Sequence, residues 1–269
     1  MTSTETTPVL TAAAPTPAAP AVEPSPVAEL LAATAFVPAA PEPQAPDERL
    51  LAATEFLDHD HEAVRALVAK ALPDPESMTP AERAIALYYA VRDGIHYEVY
   101  GADLSRDGLR ASSTITRGTG FCVHKSIVYA AAVRAVGVPS RIYYGDVRNH
   151  LASPKLEELM GGNIFTYHSL TTVHLGGRWV RATPVFNKML CALYRIKPLD
   201  FDGVTDSMYH PFDEDGRRHM EFVRSHGEFD DVPYERVVGG IREAHPRLFA
   251  SRDTTARGSL VADAVAGTR

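Results

Sequence analysis

The chain of 269 residues has only two cysteines, Cys122 and Cys191, too few for a disulfide scaffold. A reducing, cytoplasmic setting is therefore expected. No run of about 18 apolar residues occurs, which leaves no membrane-spanning helix to be read. Met1 to Leu10 carry no Lys or Arg and lead into no compact apolar run, so no secretory signal is expected. Basic residues are in the minority: the formal charge is −7, and no basic stripe offers itself to phosphates, which excludes nucleic acid as the main partner. The remaining balance is that of an ordinary globular protein, with 45% hydrophobic and 23% charged residues.

The acidic excess lies at one end. Residues 1–48 hold six acids and no Lys or Arg, with ten of the 20 prolines and thirteen alanines. Prolines this dense remove backbone donors and forbid continuous helix, and too little bulky apolar surface remains to offset ordering entropy. Residues 1–48 are thus expected to be a disordered arm, residues 49–249 one folded domain, and residues 250–269 a small, polar tail that frays. The segment Leu30-Leu31-Ala32-Ala33-Thr34-Ala35-Phe36 is nearly repeated as Leu50-Leu51-Ala52-Ala53-Thr54-Glu55-Phe56. Two accounts stay open, chance in an Ala-rich stretch or a duplicated docking segment whose first copy competes for the groove of the second.

Within the domain, helices come first. Residues 62–72 place Val64, Leu67, Val68, Ala71 and Leu72 on one face. Thr79-Pro80-Ala81-Glu82 is a capping box that opens a helix to about Asp93. Arg117-Gly118-Thr119-Gly120-Phe121-Cys122 leads into a third helix, closed by Gly137 and Pro139. The period then changes. Residues 140–147 read as a strand, and residues 166–175 and 178–185 as two strands joined by the two-residue turn Gly176-Gly177. Further helices are read at 217–225 and 234–244. Helices followed by consecutive antiparallel strands define an α+β domain.

Cys122 stands out chemically. Two nearby glycines, Gly118 and Gly120, precede it and an apolar helix follows, so it sits at a helix N-terminus. Unpaired N–H groups and the helix dipole there favour a thiolate, lowering a thiol from its ordinary value near 8.5. The glycines let a substrate approach the backbone, whose N–H groups can hold an oxyanion. Cys191 has no such setting and reads as structural. Of the eleven histidines most read blandly. His59 and His61 mark a solvated helix start, and His124 points away from Cys122 because two residues turn a helix by about 200°. His168 lies on the first strand of the hairpin. With Gly176-Gly177 as the whole loop, paired numbers sum to 353, so His168 faces Val185 and has Thr183 and Asn187 as diagonal neighbours. Either of these fits the part of a residue that orients the imidazole.

The pattern Gly118-Thr119-Gly120-Phe121-Cys122-Val123-His124-Lys125, then Gly137-Val138-Pro139-Ser140-Arg141, Tyr167-His168-Ser169 and Gly177-Arg178-Trp179-Val180, resembles the transglutaminase-like superfamily over roughly residues 50–249. The resemblance implies a papain-like fold, with the cysteine at the N-terminus of a helix packed on an antiparallel sheet. It makes Cys122 a nucleophile and His168 its base. The third residue of that family, an aspartate followed by proline, falls at Thr183-Pro184, so the carboxylate is missing here. A neutral third member still orients a histidine in Cys-His-Asn enzymes. Loss of the charge-assisted bond costs roughly 1.5–3 kcal/mol, one to two decades in rate.

The expected activity is acyl transfer or hydrolysis at an amide or ester through a Cys122 thioester, on a peptide, protein or acyl-donor substrate, with no cofactor or metal. Two other classes compete. One is an inactive binding module that keeps the thiol-enzyme fold. The other is a metal hydrolase built from His210, Asp213 and His219. The segment 188–215 is either a lid or core, with Tyr194, Phe201, Tyr209 and Phe212 as its apolar members.

Overall fold

The structure, a computed structural model, describes residues 38–39, 41, 45–209, 212–249 and 258–267. Most of the expected arm, the first copy of the repeat and His210 lie outside the described residues. Among the described residues no helix is long and apolar enough to cross a membrane.

Four helices form the first layer. Helix α1 (Glu62–Ala71) is capped by His61, whose Nδ1 accepts the Ala63 N–H at 3.1 Å. Helix α2 (Pro80–Gly94) starts at the expected capping box, with Thr79 Oγ1 accepting the Glu82 N–H and the Glu82 carboxylate accepting the Thr79 N–H. A short strand β1 (His96–Tyr97) follows, then α3 (Ala111–Arg117), strand β2 (Thr119–Gly120) and α4 (Cys122–Arg134). Strands β1 and β2 pair in parallel. Every residue of α4 is buried, including Lys125 and Arg134. A helix apolar on all sides is one enclosed by its neighbours, and α4 packs against α1, α2, α3 and the sheet.

The sheet has the order β5-β4-β3-β6 and is antiparallel throughout, from β3 (Ser140–Asn149), β4 (Ile164–Leu175), β5 (Arg178–Ala182) and β6 (Met220–Phe229). The 353 register holds, with Leu175 opposite Arg178 and Thr171 opposite Ala182. The pairing stops at Ala182 rather than at residue 185. Pro184 brings no N–H to a ladder, and the Val185 N–H turns back to the Thr183 carbonyl at 2.9 Å. The expected helix at 217–225 is instead β6, because both its backbone edge and its apolar members Met220 and Phe222 are taken up by β3 and the outer cluster. Local propensity yields there to tertiary pairing.

Three more helices follow, α5 (Pro154–Met160), α6 (Lys188–Tyr194) and α7 (Tyr234–Ala244), the last spanning the residues read from sequence. Within the expected flexible tail, residues 260–267 form α8 (Leu260–Gly267), with Leu260 buried. Within the expected arm, the carbonyls of Pro38 and Ala39 accept from the buried Arg181 guanidinium. The second copy of the repeat belongs to the fold, with Leu50 and Phe56 buried.

Side chains alternate cleanly across the sheet. Ile142, Tyr144, Val173, Leu175, Val180 and Ala182 join the core beneath α4. Tyr143, Val147, Leu170, Met220 and Phe222 form a separate cluster on the outer face. Between His168 and Phe165 the β3–β4 pairing shifts by a bulge, and Tyr167 takes a left-handed backbone with φ 59°.

Candidate active site

Cys122 is the first residue of α4 and buried, at 5% exposure. Its sulfur receives backbone hydrogen bonds from Ser169, Val123 and its own N–H, all of which favour a thiolate. Burial outweighs them and pushes the thiol up to about 12. The expected lowering by the helix terminus is therefore reversed by desolvation. The glycines before it serve the chain itself. Gly118, with φ 71°, is the left-handed C-cap of α3, and a Cβ on Gly120 would lie 2.6 Å from His124 Cβ.

His124 does point away from the thiol, with Nε2 2.9 Å from the Asp103 carbonyl. Lys125 is fully buried too, and its Nζ donates to the carbonyls of Arg92 and Ile95 at 2.8 and 2.6 Å. Burial lowers it to about 7. It ties the end of α2 to α4, just before Tyr97. The Tyr97 hydroxyl in turn takes a hydrogen bond from the Cys122 backbone N–H.

His168 is the residue before Ser169, so the backbone donor on the sulfur and the imidazole come from adjacent positions of β4. Its ring lies edge-on to Phe222, with centroids 5.9 Å apart. Its Nε2 is buried without a hydrogen-bond partner, and burial alone lowers the imidazole to about 4. Cys122 and His168 line one cavity together with Tyr97, Asn149, Tyr194 and His219. A second cavity shares His168 with the first and is lined by Thr183 and Tyr209.

The two candidates for the third role part company. Thr183 stays with His168 at the second cavity, and its buried Oγ1, like His168 Nε2, has no partner. Its carbonyl is held by the Tyr88 hydroxyl at 3.1 Å. Asn187 turns elsewhere, because the chain leaves the sheet at residue 182: its Oδ1 accepts the Tyr97 N–H at 3.2 Å. A strand continued to residue 187 would have kept it beside His168. Cys191 lines the same cavity as Cys122, and its thiol donates to the Phe186 carbonyl at 3.6 Å.

Sequence reading missed Tyr97 at this cavity and took His219 only as a metal ligand. Tyr97 lies in a two-residue strand and His219 just before the misread β6, where no periodicity marks them. Of the residues of the metal reading, His210 lies outside the described residues, and the Asp213 carboxylate is taken by Arg217 at 2.6 Å and by the N–H groups of Asp215 and Arg217. Among the described residues no group of three His, Cys, Asp or Glu side chains is placed to hold a metal ion.

Cys122, His168 and Thr183 fall inside a known pattern. Residues 68–184 match the model of the transglutaminase-like superfamily, a span running from α1 through α4 to the Thr183-Pro184 pair. That stretch of the chain is similar to the transglutaminase-like core that the motifs imply. Among solved structures the chain is similar to a protein of Cytophaga hutchinsonii to which cysteine protease activity is ascribed, at 16% identity and a TM-score of 0.43. The alignment covers 70% of this chain and 48% of that one, so the chain spans about half the length of that protein. No curated protein matches the chain.

Proposed function

We propose that the chain is a cysteine-dependent acyl-transfer enzyme in which Cys122 is the nucleophile and His168 the base. The observation that carries the reading is the Ser169 N–H on the Cys122 sulfur, which sets the thiol beside the residue that follows His168, in a cavity both share. Both groups rest neutral, the thiol raised to about 12 and the imidazole lowered to about 4. Proton transfer therefore accompanies attack instead of preceding it. The sulfur forms a bond to the carbonyl carbon of an amide or ester while the thiol proton passes to His168. The tetrahedral intermediate collapses, the bond to the leaving group breaks, and His168 returns the proton to that group. Water or an amine then releases the acyl group from the thioester. Thr183 replaces the carboxylate beside the imidazole, which fits a modest enzyme more than a fast one.

The test is acylation by p-nitrophenyl acetate, followed by nitrophenol release and by mapping of the thioester to Cys122. Wild type acylates at Cys122, and His168→Ala slows this about 10²–10⁴-fold. Equal rates in the two proteins, or no acyl group on Cys122, would overturn the reading in favour of a binding module.

A further inference from the structure

The cavity that holds Cys122 has an unusual lining. No Asp, Glu, Lys or Arg side chain contributes to it. Its walls are apolar side chains from separate parts of the chain, among them Val99, Phe121, Leu156, Met160, Phe186 and Leu260. Apart from His168, the proposed base, three of the polar groups present are already engaged by the chain. Asn149 Oδ1 accepts the Leu151 N–H at 3.0 Å, the Tyr194 hydroxyl donates to the Leu260 carbonyl at 3.0 Å, and the Tyr97 hydroxyl meets the Cys122 N–H. A charge carried into this space would lose its hydration and find no Asp, Glu, Lys or Arg to pair with. An alkyl or aryl chain would gain by leaving water there.

We infer that the acyl donor is an uncharged apolar acyl group, aliphatic or aromatic, whose chain lies in this cavity with its carbonyl at the Cys122 sulfur. The inference rests on the reading of Cys122 as the acylated residue, and it deepens that reading by naming what the residue carries. It also separates this site from one that takes a charged or strongly polar peptide segment. Such a substrate would need a carboxylate, a guanidinium or free amide groups in the wall.

The experiment uses covalent reporters that need no catalysis: iodoacetamide, its N-butyl and N-hexyl derivatives, and iodoacetate. Rates at Cys122 are read by peptide mapping on the full chain and normalised to glutathione. Each buried methylene adds a several-fold gain, so the N-hexyl reagent reacts at least about tenfold faster than iodoacetamide, and iodoacetate at least about tenfold more slowly. Ala152→Phe, which fills the half-buried edge of the cavity, abolishes the chain-length gain while iodoacetamide still reacts. A flat normalised series in wild type would overturn the inference, whether or not the variant folds. A flat series with His168-dependent acylation by p-nitrophenyl acetate would remove only the apolar donor. A steep series without such acylation would remove the enzyme and leave an apolar-ligand cavity.

Discussion

On the inner face of the sheet, α4 lies sealed among α1, α2 and α3, and one large apolar cluster joins helices and strands. On the outer face, five buried apolar residues among the described ones make a cluster, and the buried Arg181 guanidinium lies beside it. Arg181 lies over the Tyr143 ring at 5.1 Å and 3.6 Å from the Glu228 carboxylate, which also accepts from Thr172 Oγ1 at 3.0 Å. The proposed nucleophile belongs to the first face and the proposed base to the second: Cys122 is part of the large cluster, while His168 abuts Phe222 of the small one. They share a cavity where β5 leaves the edge of β4. The face that holds the molecule together and the face that shapes its chemistry are built from different materials.

The sharpest way to break this comparison is to truncate equivalent apolar side chains on the two sides. Ile127→Ala, in the middle of α4, is expected to lower unfolding free energy by roughly 2–5 kcal/mol, because its enclosed surroundings cannot collapse into the gap. Leu170→Ala on the outer face should cost less, as the irregular segment covering it can settle. Urea unfolding of both variants checks this, and equal losses would erase the distinction between the faces.

A second contrast is in proton uptake. His124 and His168 are both lowered to about 4 by burial, whereas an unfolded histidine titrates near 6.5. Between those values the unfolded chain binds more protons, so stability falls as pH drops from about 6.5 to about 4, on the order of 3 kcal/mol for each histidine. His168→Leu removes its half of that loss. At neutral pH the same variant should be no less stable than wild type, since it deletes a buried nitrogen that has no partner. Unfolding curves at pH 7 and pH 5 test both parts. A steep loss of stability at pH 7 would show that the imidazole holds the outer face together.

The smallest effect is expected for the outer-face charges. Arg181→Met should cost roughly 1–3 kcal/mol, with a part of that lost in a Glu228→Gln background. A double-mutant cycle by urea unfolding measures the coupling. Strict additivity would mean that Arg181 acts through the Pro38 and Ala39 carbonyls and the Tyr143 ring and not through Glu228.

Legibility from sequence divides along the same line. The capping box at Thr79, the start of α4 at Cys122, the 353 register and α7 were all readable, because each rests on local chemistry or on apolar periodicity. β6 was not, since its strand character comes from β3 rather than from residues 217–225. Asn187 was misplaced by a register extended past Pro184, and α8 fell in a stretch whose small residues gave no sign of a helix. At the site, residue identities at 122, 168 and 183 could be read from motifs. The balance of protons could not, because a helix terminus can be seen in a sequence and desolvation cannot.

The complete enclosure of α4 has one more consequence. A thiol at the surface can be oxidised or labelled without disturbing its neighbours. Cys122 is reached only by way of its cavity or by dismantling the helix layer, since its own helix has no outward side. Whatever damages this sulfur must first fit the cavity that the proposed reading gives to the substrate. On that reading the thiol is guarded by shape, and the selectivity of the site and its chemical durability are the same property.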